Sequence, residues 1–197
     1  MTLLDQYNTL LKESVPSDKW PGRTITDKGT VHCYIQEYYN NKFSSLKTKP
    51  IKLLELGVEY GYSMKLWLSW FTNAEFIGID PFQPNTIDYF NTLPNCKGID
   101  ADGFSKETVN MFEDNTFDFI IEDGPHTIET QMFAAEYWSP KLKNGGFLII
   151  EDLQNPESDI KSIVNCVKHV KNLQIKVFDF RRLRGGHDDV ILEIEKK

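Results

Sequence analysis

The sequence predicts an α/β fold built around a mostly parallel sheet of seven strands. From residue 51 onward, short apolar runs alternate with segments whose apolar residues recur at helical spacing. The intervals between runs are long enough for helical crossovers everywhere except before the last run.

The elements follow in order. MTLLDQYNTLLKES, at the start, has an amphipathic helical pattern and lacks the basic opening of a signal peptide. VHCYIQEYYNNKF spaces Val31, Tyr34, Ile35, Tyr38 and Phe43 like the inner face of a docking helix. Trp20, Pro21 and Asp27 precede it in a segment placed to fold over a ligand, the alternative being that Trp20 anchors the segment on the core. Strands are expected at Lys52 to Leu56, Glu75 to Ile79, Cys96 to Ile99, Phe117 to Glu122, Gly146 to Glu151, Gln174 to Phe180 and Val190 to Glu195. MKLWLSWF, TIDYFNTL, SKETVNMFED, IETQMFAAEYW and ESDIKSIVNCVKHV supply the helices between them, the last ending at His169. Nine residues separate Phe180 from Val190, among them Gly185, Gly186, Asp188 and Asp189, so the final two strands should pair antiparallel. The basic RRLRGG at Arg181 to Gly186 reads as a solvated hairpin flank, and His187 as a turn residue or the border of an acceptor site.

A chain of 197 residues with 40% hydrophobic content suits one domain over 1–197, here a helical cap over 1–48 and a sheet core over 49–197. A net charge of -7 argues against nucleic acid as a partner, because phosphate binding calls for basic patches. No apolar run approaches the roughly 18 residues of a membrane span. Cys33, Cys96 and Cys166 are odd in number and widely spaced, which fits reduced thiols and a cytoplasmic location.

IKLLELGVEYGYS runs from a strand into Glu55, Gly57 and Gly61, with Ser63 opening a helix. Glycines let backbone approach a ligand closely, and a helix N-terminus offers unpaired amides. In FIGIDPF, Asp80 ends the next strand 25 positions after Glu55, where an acid accepts ribose hydroxyls. Taken singly, these residues are also ordinary turn and cap vocabulary; together they describe one crevice at the strands' carboxyl ends. Glu59 in the loop would repel a pyrophosphate, which favours a ligand without phosphates, such as S-adenosylmethionine.

LELGVEYGYS, FIGIDPF, FDFIIEDGPH and KNGGFLIIEDL, in that order, resemble the motifs of class I S-adenosylmethionine-dependent methyltransferases. With TDKGTVHCY, the Asp-Gly-x-His of residues 123–126 and the terminal Glu-Asp, residues 24–195 resemble the Mg-dependent macrolide-sugar (mycinamicin and macrocin) O-methyltransferases. The resemblance implies a Rossmann-like three-layer sheet of order 3-2-1-4-5-7-6 with the last strand antiparallel. It implies donor binding by Glu55, Gly57, Gly61, Ser63, Asp80, Asp123 and either Asp100 or Asp102, with Asp100 narrowly preferred.

Asp123 follows the fourth strand, and Glu151 with Asp152 follows the fifth, 28 positions later. Three carboxylates at one sheet edge repel unless protonated or bound to a cation; the sequence shows nothing obvious to neutralise them, and an all-oxygen set suits Mg²⁺. The resemblance implies Asp123, Glu151 and Asp152 as ligands, with His126 as the base that deprotonates a sugar hydroxyl. Glu122 stays outside that set. His32 is placed to shape the pocket. The expected activity is Mg-assisted O-methylation of a deoxysugar such as rhamnose on a small molecule or glycan. The alternatives are a catechol-type O-methyltransferase and a non-catalytic donor- or glycan-binding module. The chain is short enough to be one domain of a larger glycan-building enzyme, and a homo-oligomer is compatible with it.

Overall fold

The computed structural model describes residues 1–14, 25–81 and 83–197. Trp20 and Pro21 lie outside the described residues. Helix α1 (Leu3–Glu13) opens with a capping box in which Thr2 and Asp5 satisfy each other's amides. A 3-10 turn (Asp27–Gly29) follows, then a π-helical segment (Ile35–Tyr39) running into α2 (Asn40–Phe43). The core then alternates β1 (Ile51–Leu56), α3 (Tyr62–Trp70), β2 (Ala74–Ile79), α4 (Pro84–Phe90), β3 (Cys96–Ile99), α5 (Lys106–Val109) and β4 (Phe117–Glu122). It continues with α6 (Ile128–Phe133), β5 (Leu142–Ile150), α7 (Pro156–Cys166), β6 (Leu173–Asp179), α8 (Arg181–Arg184) and β7 (Val190–Lys196).

The seven strands form one sheet of order β3-β2-β1-β4-β5-β7-β6. All neighbours are parallel except the β5–β7 and β6–β7 pairs, as the sequence predicts. Because both faces are covered, the central strands are apolar on both. Leu53, Phe119, Ile121 and Ile149 pack with Trp67, Trp70, Tyr39 and Phe43 on one face. The alternate residues Leu54, Ile120, Leu148 and Ile150 pack with Trp138 and Ile163 on the other. No helix among the described residues is long and apolar enough to cross a membrane.

Four expectations need correction. Val31 is 60% exposed, because the helical period begins only at Tyr34 and Val31 lies in the preceding turn. SKETVNMFED yields a helix of only four residues, ending at Asn110 after the β-branched Thr108 and Val109. α7 stops at Cys166, so His169 stands in the following turn, 4.0 Å from Glu136. The interval before β7 holds the short helix α8, whose Arg184 donates to the carbonyls of Gly29 and Thr30, tying this stretch to the N-terminal segment.

Candidate active site

The carboxyl ends of β1, β2 and β4 open onto a cavity of about 450 Å³. Gly57, Ser63, Asp80, Asp102, Asp123 and His126 all line it, together with Asp27, Glu59 and Phe104. Asp102, rather than Asp100, takes the third-strand position on the wall, its Oδ1 accepting from the Phe104 amide at 2.9 Å. The Asp80 Oδ2 accepts from the amides of Val58 (3.0 Å) and Glu59 (2.9 Å), so this acid shapes the glycine loop as well as facing the cavity. The loop packs directly on the β4 turn: a Cβ on Gly57 would lie 2.1 Å from the Asp123 carbonyl oxygen. Gly61 caps α3 in the left-handed conformation.

Glu55 is fully buried and does not line the cavity. Burial pushes its carboxyl up to about 7, with the Lys28 ammonium pulling the other way. The folded chain therefore holds this proton more tightly than the unfolded chain does. Its contribution to stability is complete below the ordinary value of 4.5 and is lost as pH rises through about 7. Glu55→Gln is expected to lose about 2.5 kcal/mol less stability than wild type between pH 5 and pH 8, read from urea midpoints. Equal losses in both chains would remove Glu55 as the cause. Glu122 is likewise buried and pushed up to about 8, chiefly by burial, and it stays off the cavity wall.

His126 enters from the β4–α6 turn, its Nε2 3.8 Å from Asp123 Oδ1 and 3.9 Å from Asp152 Oδ2. Six described non-glycine residues have positive φ. Three are asparagines, which tolerate it, and the others are Glu59, His126 and Asp152, just beyond the ends of β1, β4 and β5. Backbone strain gathered at one sheet edge marks a place where side-chain direction is imposed by surrounding structure.

Among the acids, the Asp152 Oδ1 accepts from the Tyr34 hydroxyl at 2.6 Å, and His32 Nδ1 sits 3.6 Å from that oxygen and 2.7 Å from Asp189 Oδ1. His187 bonds Gln154 at 3.2 Å from an exposed turn. The expectation that nothing neutralises the acids is corrected by Lys28. Its side chain is 1% exposed and its Nζ donates to Asp123 Oδ2 at 2.5 Å and to Glu151 Oε2. Burial alone would lower the Lys28 pKa, but Asp123 and Glu151 outweigh it and raise it well above the usual value, so the ammonium is retained. The other Glu151 oxygen accepts from the Tyr39 hydroxyl at 2.5 Å. The expected ligand set of Asp123, Glu151 and Asp152 is thus only partly assembled. Oxygens or nitrogens of Asp123, His126 and Asp152 lie within 4.8 Å of one another, whereas Glu151 is engaged by Lys28 and Tyr39. Carboxylate oxygens are the ligands that a hard divalent cation prefers.

Lys28, Tyr34 and Tyr39 were not singled out from the sequence as site residues. The signal available for Lys28 was its place in TDKGTVHCY, yet a lysine between Asp27 and Gly29 also reads as a surface turn.

The chain is similar in sequence and fold to known proteins. A 140-residue alignment covers 66% of this chain at 32% identity with the 8-demethyl-8-(2-methoxy-alpha-L-rhamnosyl)-tetracenomycin-C 3'-O-methyltransferase of Streptomyces olivaceus. The L-olivosyl-oleandolide 3-O-methyltransferase of Streptomyces antibioticus is 27% identical over 71% of the chain. The chain spans only 35% and 38% of those two relatives' lengths. The MycE methyltransferase of the mycinamycin biosynthetic pathway, solved with Mg and SAH, superposes with a TM-score of 0.68 at 20% identity, covering 87% of this chain and 52% of that one, and shares its fold. A family model described as a methyltransferase domain matches residues 54–153. That stretch is half of the chain and contains Gly57, Asp80, Asp123, His126 and Asp152, and the chain belongs to the methyltransferase-domain family.

Proposed function

We propose that this chain transfers a methyl group from S-adenosylmethionine to a hydroxyl of a deoxysugar such as rhamnose, with Mg²⁺ and His126 assisting. The observation that carries this reading is the convergence of His126 with Asp123 and Asp152 at the mouth of the glycine-loop cavity. The relatives named above as O-methyltransferases of rhamnosyl and olivosyl compounds support the acceptor class.

The cavity suits the donor on chemical grounds. Asp27, Glu59, Asp80, Asp102 and Asp123 line it, which favours a sulfonium cation and disfavours phosphates. Asp80 and Asp102 supply acceptors for ribose and adenine, and the glycine loop with Ser63 at the start of α3 borders the place of the amino-acid end. Phe104 offers an apolar wall for the base.

A sugar hydroxyl holds its proton far above neutral pH, so transfer requires a base close to the oxygen. His126 takes the proton on Nε2 while the hydroxyl oxygen attacks the methyl carbon and the carbon–sulfur electron pair returns to sulfur. Asp123 and Asp152 flank the imidazole and stabilise the charge it acquires. Mg²⁺, when bound at Asp123 and Asp152, lowers the proton affinity of the acceptor hydroxyl.

Calorimetric titration with S-adenosylhomocysteine should show binding to the wild type and at least about tenfold weaker binding to Asp80→Ala, which loses the anchor of the loop amides. Mass spectrometry of rhamnose-bearing acceptors incubated with S-adenosylmethionine should show a gain of one methyl that EDTA suppresses. Transfer to catechols with sugars inert would replace the sugar reading, and indifference of donor binding to Asp80→Ala would remove the donor assignment.

A further inference from the structure

Asp27, Glu59, Asp80, Asp102 and Asp123 all line the donor cavity. Three of these acids already serve the protein. Asp80 holds the amides of Val58 and Glu59, Asp102 holds that of Phe104, and Asp123 is divided between Lys28 and His126. Asp27 differs. Among the described residues, no hydrogen bond or ion pair engages its carboxylate, and the ammonium of the adjacent Lys28 is directed to Asp123 and Glu151 instead.

The backbone that carries this free, half-buried carboxylate is firmly held. The Asp27 carbonyl accepts from the amides of Thr30 (2.9 Å), Val31 (3.0 Å) and His32 (3.0 Å). Tyr7 donates to the Thr26 carbonyl at 3.4 Å, Gln36 to the Gly29 carbonyl at 2.9 Å, and Arg184 to the carbonyls of Gly29 and Thr30. Gly29 packs so closely on α1 that a Cβ there would lie 2.5 Å from the Tyr7 ring. A carboxylate with no partner, on a fixed backbone in a cavity wall, is preorganised for a cation because little backbone freedom is left to lose on binding.

Glu59 indicates where that cation sits. Of the charged groups around Glu59, Asp27 acts on it most strongly: burial first, then Asp27, push the Glu59 carboxyl up. One of these two acids comes from the N-terminal segment and the other from the glycine loop, so a cation near both relieves their repulsion and ties the two elements together. The donor carries two positive groups, a sulfonium and an α-ammonium. The sulfonium must lie where its methyl meets the acceptor oxygen beside His126. The amino-acid end lies by the glycine loop and the start of α3, where the helix N-terminus suits its carboxylate and leaves the ammonium for an acid.

We propose that Asp27 takes the α-ammonium of the donor, so that the bound donor bridges the N-terminal segment and the glycine loop. This rests on the donor binding proposed above and names the group that recognises the donor's amino-acid end.

Calorimetry on the full chain with two ligands tests it. One is S-adenosylhomocysteine, whose α-ammonium is its one cationic group, and the other is its analogue with hydrogen in place of the α-amino group. Wild type should bind the analogue at least about tenfold more weakly, as expected for loss of a charge-assisted hydrogen bond. Asp27→Asn keeps the size of the side chain and the three hydrogen bonds to the carbonyl. It should bind S-adenosylhomocysteine at least about tenfold more weakly than wild type and prefer it over the analogue by no more than about twofold. Glu59 is exposed, so Glu59→Gln should cost no more than about fivefold and retain the preference. Equal affinity of wild type for the two ligands would overturn the proposal whatever the variants do. Retention of the preference in Asp27→Asn, or its loss in Glu59→Gln alone, would overturn it as well. Absence of S-adenosylhomocysteine binding in the wild type would instead remove the donor assignment, and the proposal with it.

Discussion

Replacing His126 with asparagine is expected to lower the rate of methyl transfer by roughly 10²–10⁴-fold while donor binding and thermal stability stay near wild type. Asparagine is chosen for a conformational reason. His126 has φ of +55°, a region that asparagine tolerates and alanine does not, so the variant removes the base without adding backbone strain. The Nδ1 of His126 is buried without a hydrogen-bond partner, so its loss orphans no buried group. Single-turnover transfer to a rhamnose-bearing acceptor, with S-adenosylhomocysteine affinity measured alongside, checks the outcome. A rate within a few-fold of wild type would mean that the proton leaves by another route, and His126 would revert to a turn residue.

The second large effect is expected at Gly57. Gly57→Ala places a side chain at φ of +83° and drives its Cβ to 2.1 Å from the Asp123 carbonyl oxygen and 2.8 Å from the Gly124 Cα. Both neighbours are backbone, so no rotamer change relieves the contact. The left-handed conformation alone costs about 1–2 kcal/mol, and the clash must be met by separating the β1 and β4 turns. A loss of at least about 3 kcal/mol is expected, lowering Tm by roughly 6–12 °C, with donor binding abolished. Gly145→Ala is the control. Its φ of +79° is nearly the same, but a Cβ there would meet nothing within 4 Å, so only the conformational part applies, about 1–2 kcal/mol, with donor binding intact. Similar melting losses in both variants would show that the turn-on-turn packing does not hold the site.

Much of this arrangement was legible in the sequence because its causes are local. β4 is an apolar run interrupted by Asp118 and closed by Glu122, and β1 is one interrupted by Lys52 and Glu55 and followed by Gly57. Once such runs are separated by helical crossovers, topology sends their carboxyl ends to one edge, which is why Gly57, Asp80, Asp123 and His126 meet at one cavity. Boundaries were read less well where competing preferences are weak, as at Val109–Asn110 and at Cys166–His169. The choice between Asp100 and Asp102 depended on how the chain turns after β3, which two nearby acids in GIDADG do not specify.

By itself, then, the amino-acid order determined the α/β class, the helical crossovers and the antiparallel final pair, since periodicity and connection length act over tens of residues, while the strand order followed from the resemblance its motifs carry. Tertiary structure alone decided how those acids are partnered. Lys28 reaches Asp123 and Glu151 across 95 and 123 residues, and Tyr34 and Tyr39 reach Asp152 and Glu151 across 118 and 112. The physical reason is that the charge state and free valences of a buried carboxylate are set by whichever groups packing delivers within hydrogen-bond distance, and no local pattern encodes which groups those will be.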